Sequence, residues 1–529
     1  KILWITIEKL HIWSIGEIMN IDESRTKKSI NNIIGGLMFK LIALIFPFII
    51  KAVMIKKLGV QYLGLNSLFT SILMVLSLSE LGVGSALVYS MYKPMAENDE
   101  ERICALLKVY KKFYRIIGVI ISVVGLILLP FLRFLISGTY PKDINIYILY
   151  LIYLVNTALS YFLFAYKKSL WEASQKNGIE SRLAAATNAG MYIAQILALI
   201  FTENYYVYII FLPLSTLIQN LIRSVMVDRM YPQFECRGEL EKGFIKELFV
   251  KIKALLGHKI GSTVITAADS IVISSILGLE ILAIYGNYYQ IINALIGVVS
   301  VIYTAVTASI GNSIIVSADE RVYSNFETLT FMNSWLVGWF SVCLYCLYQP
   351  FMKIWMGEKM LFPNYIVVLF AVYFYSWLVR RIGLTYKDAA GMWEQDFWKP
   401  YVGVVVNIVV NIVLCKTIGV AGVLLSTIIV MVFIYFPWET WALFKYLFKR
   451  SSKEYLLRMF FYLIVTIIVA LVTDYLCKSI NIYGILGLVI KMVICSLLPN
   501  IMYLIAYFKL PEFQDGKRRV FNIINSKRN

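Results

Sequence analysis

The stretch Met74–Pro94, MVLSLSELGVGSALVYSMYKP, decides the class of this chain. It is an apolar run of membrane-spanning length with an acid in its middle. The nearest charged neighbours of Glu80 are Lys57 on one side and Lys93 on the other. A carboxylate at that depth costs about 2.5–3.5 kcal/mol on insertion scales, so it calls for a partner or a task. Working outward, the same texture fills the chain. Of 529 residues, 60% are hydrophobic, and the mean hydropathy is +0.73. Soluble domains are only about 45–50% apolar. A polytopic all-α membrane protein is the class that fits, with about 20 apolar residues per spanning helix.

Hydropathy and charged punctuation place fourteen spans. They run over 30–55, 64–91, 114–137, 145–166, 184–202, 205–226, 254–277, 281–310, 329–351, 364–386, 399–416, 419–444, 456–477 and 482–508. Loop charge sets their direction. With the N-terminus inside, the inner segments hold 38 Lys and Arg and the outer ones 8, which predicts N-in and C-in. The net charge of +18 is thereby explained as loop topology, not nucleic-acid binding, because no soluble basic domain exists to carry the latter. A tight turn at Glu203–Asn204 makes its two helices neighbours.

Residues 56–72 align on 275–291 with a shift of 219, which puts Leu58-Gly59 on Leu277-Gly278 and Lys40 on Lys259. Both copies start inside, so the repeat is parallel. The expected layout is an N-terminal lead (1–27), a six-helix lobe (28–227) and a cytoplasmic linker (228–253). A second six-helix lobe (254–447), two additional helices (448–510) and a basic tail (511–529) follow. The linker stretch GELEKGFIKELFVKIKALLG (238–257) reads as an amphipathic helix lying on the anionic inner leaflet. Residues 1–18 are expected to be translated upstream sequence, with Met19 the native start; an intact mass that includes Lys1 would contradict this.

The ionisable residues deep in the spans are Lys40, Lys51, Glu80, Lys259, Asp269, Asp474 and Lys491. Two roles fit Glu80. It can tie its span to Lys40 or Lys51, a contact worth about 4 kcal/mol at ~4 Å and an effective dielectric near 20. Alternatively it can face a cavity and couple a proton or Na⁺ to transport. Asp269, mid-span, is expected in a cavity or between helices. Lys40, Lys51 and Lys259 suit an anionic substrate, and so does Arg380 at the inner end of span ten. Its other reading is a positive-inside flank. Tyr285, Asn287, Tyr288, Gln290 and Asn293 carry hydroxyls and amides that can bind sugars or hold helices together.

Seven cysteines are scattered, and Cys343-x-x-Cys346, inside an apolar stretch with no second ligand pair, is expected to pack rather than bind metal. With two histidines, no histidine-rich metal site is expected. Gly-rich phosphate loops, HExxH and serine-hydrolase elbows are missing, and GVGS at 82–85 reads as small residues that let helices approach. No enzyme and no cofactor are expected.

Four stretches together resemble the Wzx-type polysaccharide flippases of the multidrug/oligosaccharidyl-lipid/polysaccharide exporter superfamily. They are LGVQYLGLNSLFTSI (58–72), LSLSELGVGSALVYSMYKPMAENDEERI (76–103), GHKIGSTVITAADSIVISSILGLEILAIYGNYYQII (257–292) and YKDAAGMWEQDFWKPYVGVVVNIVVNIVLCKTIGVAGVLLST (386–427). The resemblance implies two six-helix lobes, alternating access and a bacterial plasma-membrane location. The implied substrate is an undecaprenyl-pyrophosphate-linked oligosaccharide, with membrane lipids around it and glycosyltransferases and a polysaccharide polymerase as partners. A multidrug or other small-molecule exporter of the same superfamily is the alternative. A membrane glycan polymerase or acyltransferase is disfavoured by the short outer loops.

Overall fold

A computed structural model describes residues 42–77, 83–241, 243–244, 261 and 263–526. The described residues are helical with no strand. In chain order the helices are α1 (42–57), α2 (Val60–Leu76), α3 (Val83–Glu97), α4 (Glu100–Leu128), α5 (Ile146–Phe162), α6 (Lys168–Ala173), α7 (Asn177–Thr202) and α8 (Tyr205–Met230). Next come α9 (Thr263–Ile276), α10 (Leu279–Val316), α11 (Asp319–Met356), α12 (Asn364–Val379), α13 (Arg381–Ala389) and α14 (Lys399–Ile418). The last are α15 (Val420–Leu447), α16 (Lys453–Lys478), α17 (Gly484–Tyr507) and α18 (Pro511–Ser526).

Among the described residues, ten helical stretches are long and apolar enough to cross a membrane, or eleven if the pair Ile146–Phe162 and Ala165–Ala173, bent by 50°, counts as one span. The protein is therefore a multi-pass helical membrane protein, and its surface shows it. Large apolar side chains such as Phe134, Phe201, Ile315, Phe433 and Leu471 stand exposed, as lipid requires.

By contacts the chain forms two compact units: Lys1–Val53 with Val83–Ser122 and Leu154–Leu248, and Met54–Gly82 with Val123–Tyr153 and Phe249–Asn529. In the first, α7 and α8 form the expected tight pair. Glu203 ends α7 in the left-handed region at φ 49°, and the Asn204 side chain caps α8 by accepting from the Tyr206 and Val207 N–H groups at 2.8 and 3.3 Å. A polar seam fixes the pair: the Arg223 guanidinium forks onto Glu180 at 2.9 and 2.5 Å. Lys167 reaches Asp228 at 2.5 Å and Ser224 at 2.8 Å. The close approach expected at GVGS is seen at Gly84, where a Cβ would lie 2.9 Å from the Tyr110 hydroxyl.

The second unit contains the sequence repeat as a structural repeat. Gly59 and Gly278, 219 residues apart, both take left-handed φ values, 112° and 91°, and both start helices. Their turns match bond for bond. Leu58 and Gly59 N–H donate to Met54 O, while Leu277 and Gly278 N–H donate to Ile273 O. The two copies also meet at equivalent positions: Gln61 donates to Glu280 at 3.2 Å, and a Cβ on Gly286 would touch the Ser67 hydroxyl at 3.2 Å. Equivalent residues touching one another is the mark of a two-fold axis between α2 and α10. Gly64 permits this seam, since a Cβ there would stand 2.2 Å from the Leu279 carbonyl oxygen.

Candidate functional site

Three predicted residues, Lys40, Glu80 and Lys259, lie outside the described residues, as does most of the amphipathic linker. Lys51 is described on α1, half-buried.

Asp269 sits on α9 and is 1% exposed. Its burial follows from position: Ile265 and Ala267 are buried with it, while Ala268, Val272 and Ile271 line an apolar groove of about 510 Å³ shared with Ile408 and Ile412. The carboxylate faces α10, α14 and α15. Asn411 donates to Oδ1 at 2.6 Å, Tyr285 to Oδ2 at 3.3 Å and Thr427 to Oδ2 at 3.5 Å. Asn407 adds a donor to Thr427 at 3.0 Å and to Ser426 at 3.5 Å. The amide oxygens of Asn407 and Asn411, both fully buried, have no hydrogen-bond partner among the described residues. Among the described residues no Lys or Arg pairs with Asp269, and the side chains around it bring two amide oxygens and a hydroxyl to its neighbourhood. That is the donor set a hard cation takes: oxygens only, with one formal negative charge.

The predicted sugar-contact residues on α10 divide. Tyr285 serves Asp269. Tyr288 is fully buried, stacks at 5.3 Å on Phe370, donates to Gln349 at 3.0 Å and accepts from Phe362 N–H at 3.1 Å. Its role in this conformation is to hold α10 against α11 and α12. Asn287 is fully buried with both amide atoms unpartnered, Gln290 is half-buried and Asn293 is exposed.

Arg380 lies at the break between α12 and α13, 7% exposed, with Nη1 2.5 Å from Glu439 Oε1. It belongs to a chain of five buried charges. Lys399 bridges Glu439 at 2.8 Å and Asp396 at 2.5 Å, and Lys387 meets Asp396 at 2.8 Å. Three buried cations share two buried carboxylates, and the half-exposed Asp388 carboxylate stands 3.7 Å from Lys387 as a third acid at the edge of the set. Arg380 Nε, Glu439 Oε2 and the Tyr435 hydroxyl within it have no hydrogen-bond partner among the described residues. Tyr435 lies under two cations, 5.3 Å from the Arg380 guanidinium and 5.5 Å from Lys399 Nζ. It reaches there because Val430–Tyr435 winds as a π-helix and Gly403 leaves a slot: a Cβ at Gly403 would meet the ring at 2.2 Å. Sequence reasoning found Arg380 alone. Lys387, Asp396 and Lys399 fall in an inner loop, where cations read as topology signals, and Glu439 sits next to Trp438, at the end of an apolar run.

No family model and no curated protein matches this chain in sequence. Solved structures do match in fold. A lipid II flippase MurJ in an inward closed conformation superposes with a TM-score of 0.63 at 15% identity, over 92% of this chain and 99% of that one. An inward-facing multidrug resistance MATE family transporter of the MOP superfamily gives 0.58 at 12% identity, over 82% and 97%. A MATE transporter in the bent conformation gives 0.53 at 12% identity, over 81% and 97%. This chain shares the fold of the lipid II flippase MurJ and of MATE transporters of the MOP superfamily.

Proposed function

We infer that this protein is a flippase that moves an undecaprenyl-pyrophosphate-linked oligosaccharide across a bacterial plasma membrane by alternating access, for export of a cell-surface polysaccharide. The observation that carries the reading over a multidrug exporter is the C-terminal helix pair. Helices α16 and α17 pack on α11, and the flippase match covers 92% of this chain where the MATE transporter matches cover 79–82%. The buried cations Arg380, Lys387 and Lys399 support an anionic head group; Lys51 and, outside the described residues, Lys40 and Lys259 remain the other cations proposed for it. Gln290 and Asn293 are the α10 side chains left to meet sugars. Membrane lipids surround the protein, and glycosyltransferases and a polymerase supply and consume its substrate.

The coupling ion, H⁺ or Na⁺, is assigned to Asp269. A cation there neutralises the carboxylate and takes up the vacant oxygens of Asn407 and Asn411. It thereby ties α9 to α14, the helices that also wall the apolar groove. Glu80 keeps both of its roles, ion pair with a lysine of the first span or second coupling acid.

The test is reconstitution into vesicles carrying a fluorescent polyprenyl-pyrophosphate oligosaccharide, with exposure of the sugar followed by a membrane-impermeant quencher. Transfer between leaflets that depends on the protein is expected. Extrusion of cationic dyes with no movement of the lipid-linked sugar would replace this reading with the drug-exporter one.

A further inference from the structure

Three cysteines far apart in sequence converge in the second unit. Cys346 comes from α11, Cys477 from the last turn of α16 and Cys495 from α17. Their sulfurs all lie within 4.8 Å of one another, and those of Cys477 and Cys495 are 3.8 Å apart. All three are buried, at 7%, 2% and 0% exposure. Cys343, one turn before Cys346, turns its thiol instead to the Cys495 carbonyl oxygen at 3.5 Å. The Cys343-x-x-Cys346 pair therefore divides: Cys343 meets a backbone carbonyl, and Cys346 faces other sulfurs. One of its members joins two sulfurs from other helices.

Packing explains burial of a free cysteine, which behaves as a small apolar residue. It does not require three sulfurs from three helices to face a common centre. Metal geometry does. With metal–sulfur bonds of about 2.3 Å, sulfurs stand ~3.8 Å apart in a tetrahedral site and ~4.0 Å apart in a trigonal one. The Cys477–Cys495 separation of 3.8 Å falls at that edge length, and the other two pairs lie within 4.8 Å. Thiolate donors with no hard oxygen among them select soft ions.

We propose that Cys346, Cys477 and Cys495 bind one soft d¹⁰ cation, Zn²⁺ or Cu⁺, which staples the C-terminal helix pair α16–α17 to α11. Binding breaks three S–H bonds, forms three metal–sulfur bonds and releases three protons. The route in is short, because Cys477 is the penultimate residue of α16 and its neighbour Lys478 is exposed. The bound site carries a net negative charge; Lys491 lies on the contributing helix α17, while Lys478 is paired with Asp474 at 2.7 Å. The inference is independent of the transported substrate.

The experiment uses the full chain, reduced and desalted in detergent, loaded separately with Zn²⁺ and, anaerobically, with Cu⁺. Metal retained after desalting is counted by elemental mass spectrometry. About one equivalent per chain of one ion is expected, with a higher melting temperature. Replacing Cys346, Cys477 or Cys495 by Ala should abolish retention, whereas Cys104→Ala and Cys415→Ala should not. Because an alanine variant can loosen the helix pair itself, the parent protein supplies a second readout. Loading must protect Cys346, Cys477 and Cys495 from alkylation in peptide mapping while leaving the Cys236 signal unchanged. Failure to retain either ion, retention that survives the triple replacement, or protection of other cysteines instead would each overturn the proposal.

Discussion

Replacing Gly64 by Ala tests the two-fold seam and the alternating access proposed for this chain. In the structure, a Cβ at this position stands 2.2 Å from the Leu279 carbonyl oxygen and 2.8 Å from its carbonyl carbon. An ordinary carbon–oxygen contact is about 3.3 Å, so α2 and α10 must separate by ~1 Å. The obstacle is backbone at the first turn of a helix, which cannot rotate away. Overpacking of this kind costs about 1–3 kcal/mol. Alanine also gains about 0.5–1 kcal/mol of helix propensity over glycine, but that gain is shared by every conformation in which α2 is helical and cancels from their ratio. Only the conformation with the seam shut bears the penalty. A cost of about 2 kcal/mol shifts the ratio of shut to open seam by roughly 30-fold. Spin labels at Gln61 and Glu280, which touch in the structure, read that ratio as a distance distribution. Gly64→Ala should move population to longer distances and slow substrate transfer. Gly190→Ala, whose Cβ meets nothing within 4 Å, should do neither. An unchanged distance distribution in Gly64→Ala would refute the tight seam, and a shifted distribution with unchanged transfer would refute its part in the transport cycle.

Asp269→Asn keeps the volume and the hydrogen bond to Tyr285 but removes the charge that draws a cation. Transport should lose its dependence on Na⁺ or pH, and Na⁺ should no longer raise the melting temperature; retention of both would move coupling elsewhere. Glu439→Gln leaves three buried cations on buried Asp396 and half-exposed Asp388 and strips Arg380 of its carboxylate partner, so thermal unfolding in detergent should show a loss of about 3–5 kcal/mol. A loss under 1 kcal/mol would mean that the cluster is not closed to water. Gly403→Ala drives a methyl into the Tyr435 ring and should destabilise by about 1–3 kcal/mol, with Tyr435→Leu in the same chain restoring stability. Failure of that rescue would place the strain outside the slot.

The fold was legible in particular residues. Apolar runs of spanning length marked every long helix from α4 onward, because a chain in lipid must satisfy its backbone internally and advertises this in composition. The repeat was legible from Leu58-Gly59 and Leu277-Gly278, since a left-handed turn after a helix selects glycine wherever it recurs. The bend after Phe162 was not, for no proline or glycine marks it; Phe164 takes φ 56° with an ordinary side chain. The span read as 64–91 is described as α2 and α3 on either side of residues 78–82.

The candidate site was half legible. A lone acid in an apolar run identifies Asp269 at once, because charge is expensive at that depth whatever surrounds it. Its partners did not stand out: asparagine and threonine within spans are ordinary helix-packing residues, and nothing in their spacing says that Asn411 and Thr427 meet a carboxylate about 150 residues earlier. The same holds for Glu439 with Arg380 and for the three convergent cysteines.

By itself the sequence determined what lipid and local geometry dictate: the helical class, the run of apolar helices along the chain and the glycine turns of the repeat. These depend on each residue's own transfer energy or backbone freedom, which neighbours in space do not alter. Only the tertiary structure decided which groups share a site, because burial removes water as the alternative partner and makes each polar atom's nearest neighbour, however distant in the chain, its defining interaction.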